Sequence, residues 1–341
     1  EIALKPKTLI ATLKALLGQK ELCINVKGSP GIGKSDIVRQ VAGELGMNFI
    51  DVRAVLLDPV DFRGVPSIER GRTRFNPPVF LPEQGCPKTL LFLDEVDKAP
   101  MLTQCALLQL TLDRRLGEYE LPDNVVIVSA MNRQSDRAGS QKLNTALANR
   151  FVHLNLMVDK DEWKEWAVDN DIHQSVRAYL DFRPNHLTNF DPSHAGSAFA
   201  SPRSWAFMSS ALKACQASGV GGEGIAATVA GCIGDEVAVE FSTFLRVYDK
   251  LPDIDAMLAK PTKAEIPKEA SVKYAVIAAI VDKVRSNPDK LLKAAADLLV
   301  RFTSEYALLG IRDCSRAVGP RFANQDQILR WVKENSSSMM K

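Results

Sequence analysis

Gly28-Ser29-Pro30-Gly31-Ile32-Gly33-Lys34-Ser35 is the stretch on which the fold of this 341-residue chain turns. It matches the pattern GxxxxGK[ST], in which glycines let backbone N–H groups turn toward phosphate oxygens. The helix that follows adds its positive N-terminal end. All eight residues are expected to cradle ATP. Lys34 is the flexible cation that reaches the β- and γ-phosphates, and the Ser35 hydroxyl is the expected Mg2+ ligand. The context agrees. Residues 22–26 (LCINV) read as an apolar strand before the loop. After it, Ile37, Val38, Val41, Ala42 and Leu45 share one helical face. The dinucleotide fingerprint GxGxxG fails, because it needs a glycine where Asp36 stands.

Downstream, residues 89–93 (TLLFL) form a fully apolar strand that ends in Asp94 and Glu95. A strand end with two acids is a weak signal alone; beside a phosphate loop it becomes specific. Asp94 is expected in the Mg2+ shell, and Glu95 is placed to polarise the attacking water. Asn132 follows another buried strand, 125–131. If that strand lies beside the one bearing Asp94, Asn132 faces the γ-phosphate and can orient water. The competing reading is a turn-forming Asn. With residues 49–52 as a further strand and 101–112 as an amphipathic helix, residues 1–155 alternate strand and helix, which predicts an α/β core with a mainly parallel sheet. Residues 64–80 hold two β-like pieces around a polar turn, and a short hairpin is expected near 116–122.

Beyond 155 the strand patterns stop. Helices are expected at 162–167, 202–218, 234–248, 272–285 and 289–303. The division is a nucleotide-binding core at 1–155, a helical lid at 156–250, a Pro-, Asp- and Lys-rich linker at 251–270, and a helical C-terminal extension at 271–341 whose tail, ENSSSMMK, should fray.

Composition narrows the function classes. Hydrophobic residues make up 46% and charged residues 25%, which excludes collagen-like, disordered and disulfide-scaffold chains. The 43 Lys+Arg against 41 Asp+Glu give +2, so no strong electrostatic case exists for nucleic acid or an anionic membrane. Apolar runs are too short to span a bilayer, and the first residues lack the apolar core of a signal peptide. Six scattered cysteines, none in CxxC, read as reduced thiols in a cytoplasmic protein without a zinc site. His153, His173, His186 and His194 form no catalytic pattern, and Trp163, Trp166 and Trp205 read as packing residues.

The order of these motifs resembles the AAA+ ATPases, and within them the MoxR group of the helix-2-insert clade. The resemblance is carried by the loop at 28–35, LFLDE at 91–95, LDRRLGEYELP at 112–122, SAMNRQSDRAG at 129–139, ALANRF at 146–151 and SPRSW at 201–205, and it covers roughly residues 1–210. It implies a P-loop αβα sandwich of the AAA+ type with an all-α lid. It also implies roles the residues alone do not give. Arg150 matches the arginine finger that enters a neighbouring subunit's site. Arg203 matches the sensor-2 arginine at the start of a lid helix. Arg133 and Arg137 rank lower as interface residues. The insert at 64–80 and the hairpin near 116–122 match elements that contact substrate.

The expected activity is ATP hydrolysis with Mg2+, in a homo-oligomeric ring, most often a hexamer, that remodels a protein client. Such proteins are commonly paired with a von Willebrand factor A domain protein. No DxSxS motif occurs here, so that domain would be on another chain. The rivals are a nucleic-acid-stimulated motor, a chelatase-like subunit that drives metal insertion through a partner, and a nucleotide-switched scaffold. Glu95 speaks against the scaffold.

Overall fold

The computed structural model describes residues 2–136, 143–192, 198–248 and 250–339. These divide into two compact units, Glu1–Glu162 with Phe190–Gly196, and Trp163–Asn189 with Ser197–Lys341. The chain begins with β1 (Ala3–Leu4), α1 (Pro6–Leu16), β2 (Cys23–Lys27), α2 (Lys34–Glu44), β3 (Asn48–Arg53), α3 (Pro59–Arg63), β4 (Val65–Glu69) and β5 (Arg72–Asn76). It continues through β6 (Thr89–Asp94), α4 (Met101–Asp113), β7 (Arg115–Leu116), β8 (Tyr119–Glu120), β9 (Val125–Met131), α5 (Thr145–Ala148) and β10 (Phe151–Leu156). Helices follow: α6 (Lys160–Asp169), α7 (Gln174–Phe182), α8 (Pro202–Ala217), α9 (Glu223–Ile233), α10 (Asp235–Tyr248), α11 (Ile254–Ala259), α12 (Ala270–Ser286), α13 (Pro288–Leu299), α14 (Ser304–Val318) and α15 (Asp326–Met339).

In the first unit six strands pair in the order β1-β10-β2-β9-β6-β3. Every pairing is parallel. Parallel strands covered on both faces must be apolar on both, which is why VVIVSAM of β9 is buried along its whole length. The period-2 alternation then sorts side chains between two layers. Leu90 and Phe92 of β6 and Val126 and Val128 of β9 pack against Leu9 and Leu13 of α1 and Val38 and Val41 of α2. Their alternates, Leu91, Leu93, Val125 and Ile127, pack against Leu107 and Leu110 of α4 and Leu147 of α5. The result is the αβα sandwich of the AAA+ P-loop type, followed by a helical C-terminal region.

The expected strands appear as β2, β3, β6 and β9, and both short hairpins form, β4 with β5 and β7 with β8. β1 and β10 were not anticipated. In the second unit α6, α8, α10, α12 and α13 stand where helices were expected, and α7, α9, α14 and α15 are additional. The tail read as fraying is helical through Met339. Residues 251–270 are not an open tether. Ile254, Met257 and Leu258 of α11 are buried with Ile277, Ile280 and Val284 of α12, Leu298 and Leu299 of α13, and Trp331 of α15. The Pro, Asp and Lys of this stretch cover an apolar stripe at helical spacing. Ion pairs inside the second unit join α6, α7, α12 and α14: Lys164 with Asp181, Arg177 with Asp282, and Arg316 with Glu165 at 2.8 Å.

Candidate functional site

The carboxyl ends of β2, β9 and β6 lie side by side, and the site is built there, where open parallel sheets place their ligands. The loop after β2 runs from Gly28 to Gly33. Position 28 is tight: a Cβ would stand 2.4 Å from Ile32 Cδ1, which would have to swing aside, and 3.1 Å from the Leu156 carbonyl. Gly33 is the N-cap of α2 at φ 92°, a conformation that L side chains rarely adopt. From it the helix points its amino end into the loop, with Lys34 and Ser35 in the first turn.

Lys34 uses its three ammonium protons within the site. It donates to the carbonyls of Gly28 at 2.7 Å and Ser29 at 3.0 Å, and to Asn132 Oδ1 at 3.0 Å. The condition set on Asn132 is met. β9 lies between β2 and β6, so Asn132 leaves it directly toward Lys34 and is itself buried.

The Ser35 hydroxyl donates to Asp94 Oδ2 at 3.0 Å, and the Glu95 N–H donates to Asp94 Oδ1 at 2.9 Å. Burial pushes the Asp94 carboxyl above the ordinary carboxylate range, while those two hydrogen bonds pull it back. Ser35 and Asp94 together offer hard oxygen donors, which suits Mg2+: that ion takes few protein ligands and completes its shell with phosphate oxygens and water. Among the described residues no group of three or more His, Cys, Asp or Glu side chains could hold a metal by itself.

Glu95 follows at φ 56° and ion-pairs with Lys98 at 2.5 Å. Asp97 is fully buried. Desolvation raises its carboxyl, opposed by the main-chain N–H of Asn132 and the charges of Lys98 and Lys34. The sequence reading missed Asp97 and Lys98. The available signal was an acid and a cation two and three residues beyond Glu95, within reach if the chain turns there.

Of the two assigned arginines, Arg150 stands apart from this cluster within the first unit. Arg150 is exposed in the turn before β10, in the first unit. Phe151 pairs with Cys23 at the amino end of β2, whereas the loop starts five residues on at Gly28. At ~3.3 Å per residue that is about 17 Å along the strand, farther than one arginine side chain extends. Arg150 therefore cannot complete its own site. Arg203 is exposed in the first turn of α8 and belongs to the second unit. Arg133 donates to the Leu156 carbonyl at 2.7 Å, which engages it at the end of β10. Arg137 and His194 lie outside the described residues.

The other histidines have structural partners. His153 Nε2 meets the Ala148 carbonyl at 2.8 Å, His173 caps α7, and His186 Nδ1 meets the Tyr179 hydroxyl at 2.7 Å. Trp205 is buried and donates to the His186 carbonyl.

Beside the sheet, the two hairpins flank a cleft of about 330 Å3 lined by Phe75, Pro77, Leu116 and Tyr119. Val65 and Ile68 on the first hairpin are exposed. Among the described residues no helix is long and apolar enough to cross a membrane.

Residues 24–151 match the family described as the AAA domain of the dynein-related subfamily. The matched stretch spans the phosphate loop, Asp94, Glu95, Asn132 and Arg150. No curated protein matches the chain. Among solved structures, the chain is similar to the Thermotoga maritima RuvB Holliday junction branch migration motor, at 16% identity, 85% of this chain and 87% of that one, with a TM-score of 0.39. It is similar also to NtrX from Brucella abortus in complex with ATP, at 15% identity, 96% of this chain and 67% of that one, with a TM-score of 0.41.

Proposed function

We propose that this protein is an ATP hydrolase of the MoxR type, a ring-forming motor that couples Mg-ATP hydrolysis to the remodelling of a protein partner. The observation that carries the ATPase reading is the convergence of Lys34, Ser35, Asp94, Glu95 and Asn132 at three adjacent strand ends. Lys34 exchanges its contacts with Asn132 and the loop carbonyls for β- and γ-phosphate oxygens. Asn132, released, orients the attacking water. Glu95 takes the proton of that water as its oxygen bonds to the γ-phosphorus, and the bond to the β–γ bridging oxygen breaks with its electron pair leaving on ADP. Ser35 and Asp94 would hold Mg2+, which would supply neutralisation of phosphate charge.

Arg150 serves the neighbouring subunit's site, consistent with its distance from its own loop, and Arg203 senses the γ-phosphate from the lid. The ring is a hexamer on this reading. The exposed Val65 and Ile68 and the cleft between the hairpins suit a polypeptide client. A von Willebrand factor A domain protein is the proposed partner and the cytoplasm the proposed compartment.

Lys34→Ala tests the nucleotide site directly. It removes the cation that reaches the phosphates, and losing a charge-assisted contact of this kind should weaken MgATP binding by at least about tenfold. Titration with a fluorescent ATP analogue reads this. Unchanged affinity would remove Lys34, and with it the phosphate-cradle reading.

A further inference from the structure

Glu95 has its carboxylate drawn back onto its own turn. Its backbone lies in the left-handed region, and Lys98 meets it twice. The Lys98 N–H donates to the Glu95 carbonyl at 3.0 Å, closing a tight turn, and the ammonium sits 2.5 Å from Glu95 Oε1. Lys34, the other nearby cation, is directed to Gly28, Ser29 and Asn132 instead. The buried Asp97 carboxyl feels the charges of both Lys98 and Lys34. Lys98 is the cation whose ion pair holds the Glu95 carboxylate.

We propose that Lys98 is a positioning residue that restrains Glu95, folding the carboxylate back on its own turn so that it must leave Lys98 before it can accept a proton from the attacking water. The inference rests on the ATPase reading of this site. Its size follows from exposure. Both side chains are 29% exposed, so the pair is screened by solvent and holds Glu95 weakly. Lys98 is thereby a brake that nucleotide binding or a neighbouring subunit can release, rather than a permanent block.

The test is steady-state ATP turnover by the full chain as wild type, Lys98→Met, Lys98→Gln, Lys98→Arg and Lys98→Met combined with Glu95→Gln. Removing the charge should raise kcat about two- to fivefold, the span expected for an exposed ion pair. KM for ATP should stay the same, because among the described residues the Lys98 ammonium pairs with Glu95 and with no residue of the phosphate loop. Lys98→Arg, which keeps the pair, should bring the rate back to that of the wild type. The double variant should be as slow as Glu95→Gln alone, since the gain acts through Glu95. Lys98→Gln guards against a folding defect peculiar to Met. A kcat that is unchanged in both neutral variants, or that falls, overturns the proposal, and a fall would assign Lys98 to charge on the transferring phosphoryl group. Absence of ATP turnover in the wild type overturns the ATPase reading and this inference with it.

Discussion

Arg150→Ala is expected to bind ATP with near-normal affinity and to hydrolyse it about 10³-fold more slowly, the scale on which a positioned trans arginine acts in related phosphoryl transfer. The expectation follows from the register of the sheet. β10 runs parallel to β2 with Phe151 opposite Cys23, so Arg150 stands at the amino ends of the strands while the phosphate loop occupies their carboxyl ends. The side chain is exposed, and among the described residues its guanidinium makes no hydrogen bond or ion pair. An arginine so placed does not reach its own loop, and the proposed role for it is at a site on another copy.

Complementation separates this from a structural role. Arg150→Ala keeps an intact loop and lacks the finger; Lys34→Ala lacks the loop cation and keeps the finger. After both are dissociated and reassembled together, some interfaces combine an intact loop with an intact arginine, and part of the activity should return. Reassembly confirmed by mass, with no activity at any mixing ratio, would show that Arg150 does not act in trans.

Glu95→Gln should retain ATP and turn it over at least ~100-fold more slowly, the loss expected for a positioned base. Glutamine keeps the length and shape of the side chain, and the Glu95 N–H still donates to Asp94 Oδ1, so the loop and the Ser35–Asp94 pair are preserved. Equilibrium binding of labelled ATP and phosphate release measured on one preparation distinguish the two effects. Wild-type turnover by this variant would falsify the role of Glu95. The variant has a second use. Held with ATP, it should retain its protein client through affinity capture, whereas the wild type cycles and lets the client go.

The parts of the site that the sequence announces are those whose chemistry needs neighbours along the chain. A phosphate cradle requires glycines within one turn of a lysine, and Asp94 and Glu95 are adjacent because both hang from one strand end. Asn132 was legible only conditionally, since its value depends on which strand lies beside which, and the β2-β9-β6 order supplies that.

What the sequence hid was hidden for physical reasons. β10 reads FVHLNL, in which His153 and Asn155 disguise a strand whose polar side chains find backbone partners, Ala148 for one and Ile2 for the other. α7 carries Arg177 and Asp181 on faces that are buried, because Asp282 and Lys164 neutralise them. A periodicity read from apolar residues alone passes over such a helix. The signal for the Glu95–Lys98 pair was incomplete, because three-residue spacing brings side chains together only after a turn, and here the turn is made by a positive φ at a residue that is not glycine.

That backbone angle sets stability and catalysis against each other at one position. A non-glycine residue in the left-handed region costs about 1 kcal/mol, which the chain carries at residue 95 in order to keep a carboxylate there. Glycine would relieve the strain and, on the role proposed for Glu95, remove the reaction in the same substitution. Directed evolution of this protein for heat resistance alone would therefore enrich inactive glycine variants at position 95, and only a scheme that scores turnover in every round would hold the glutamate in place.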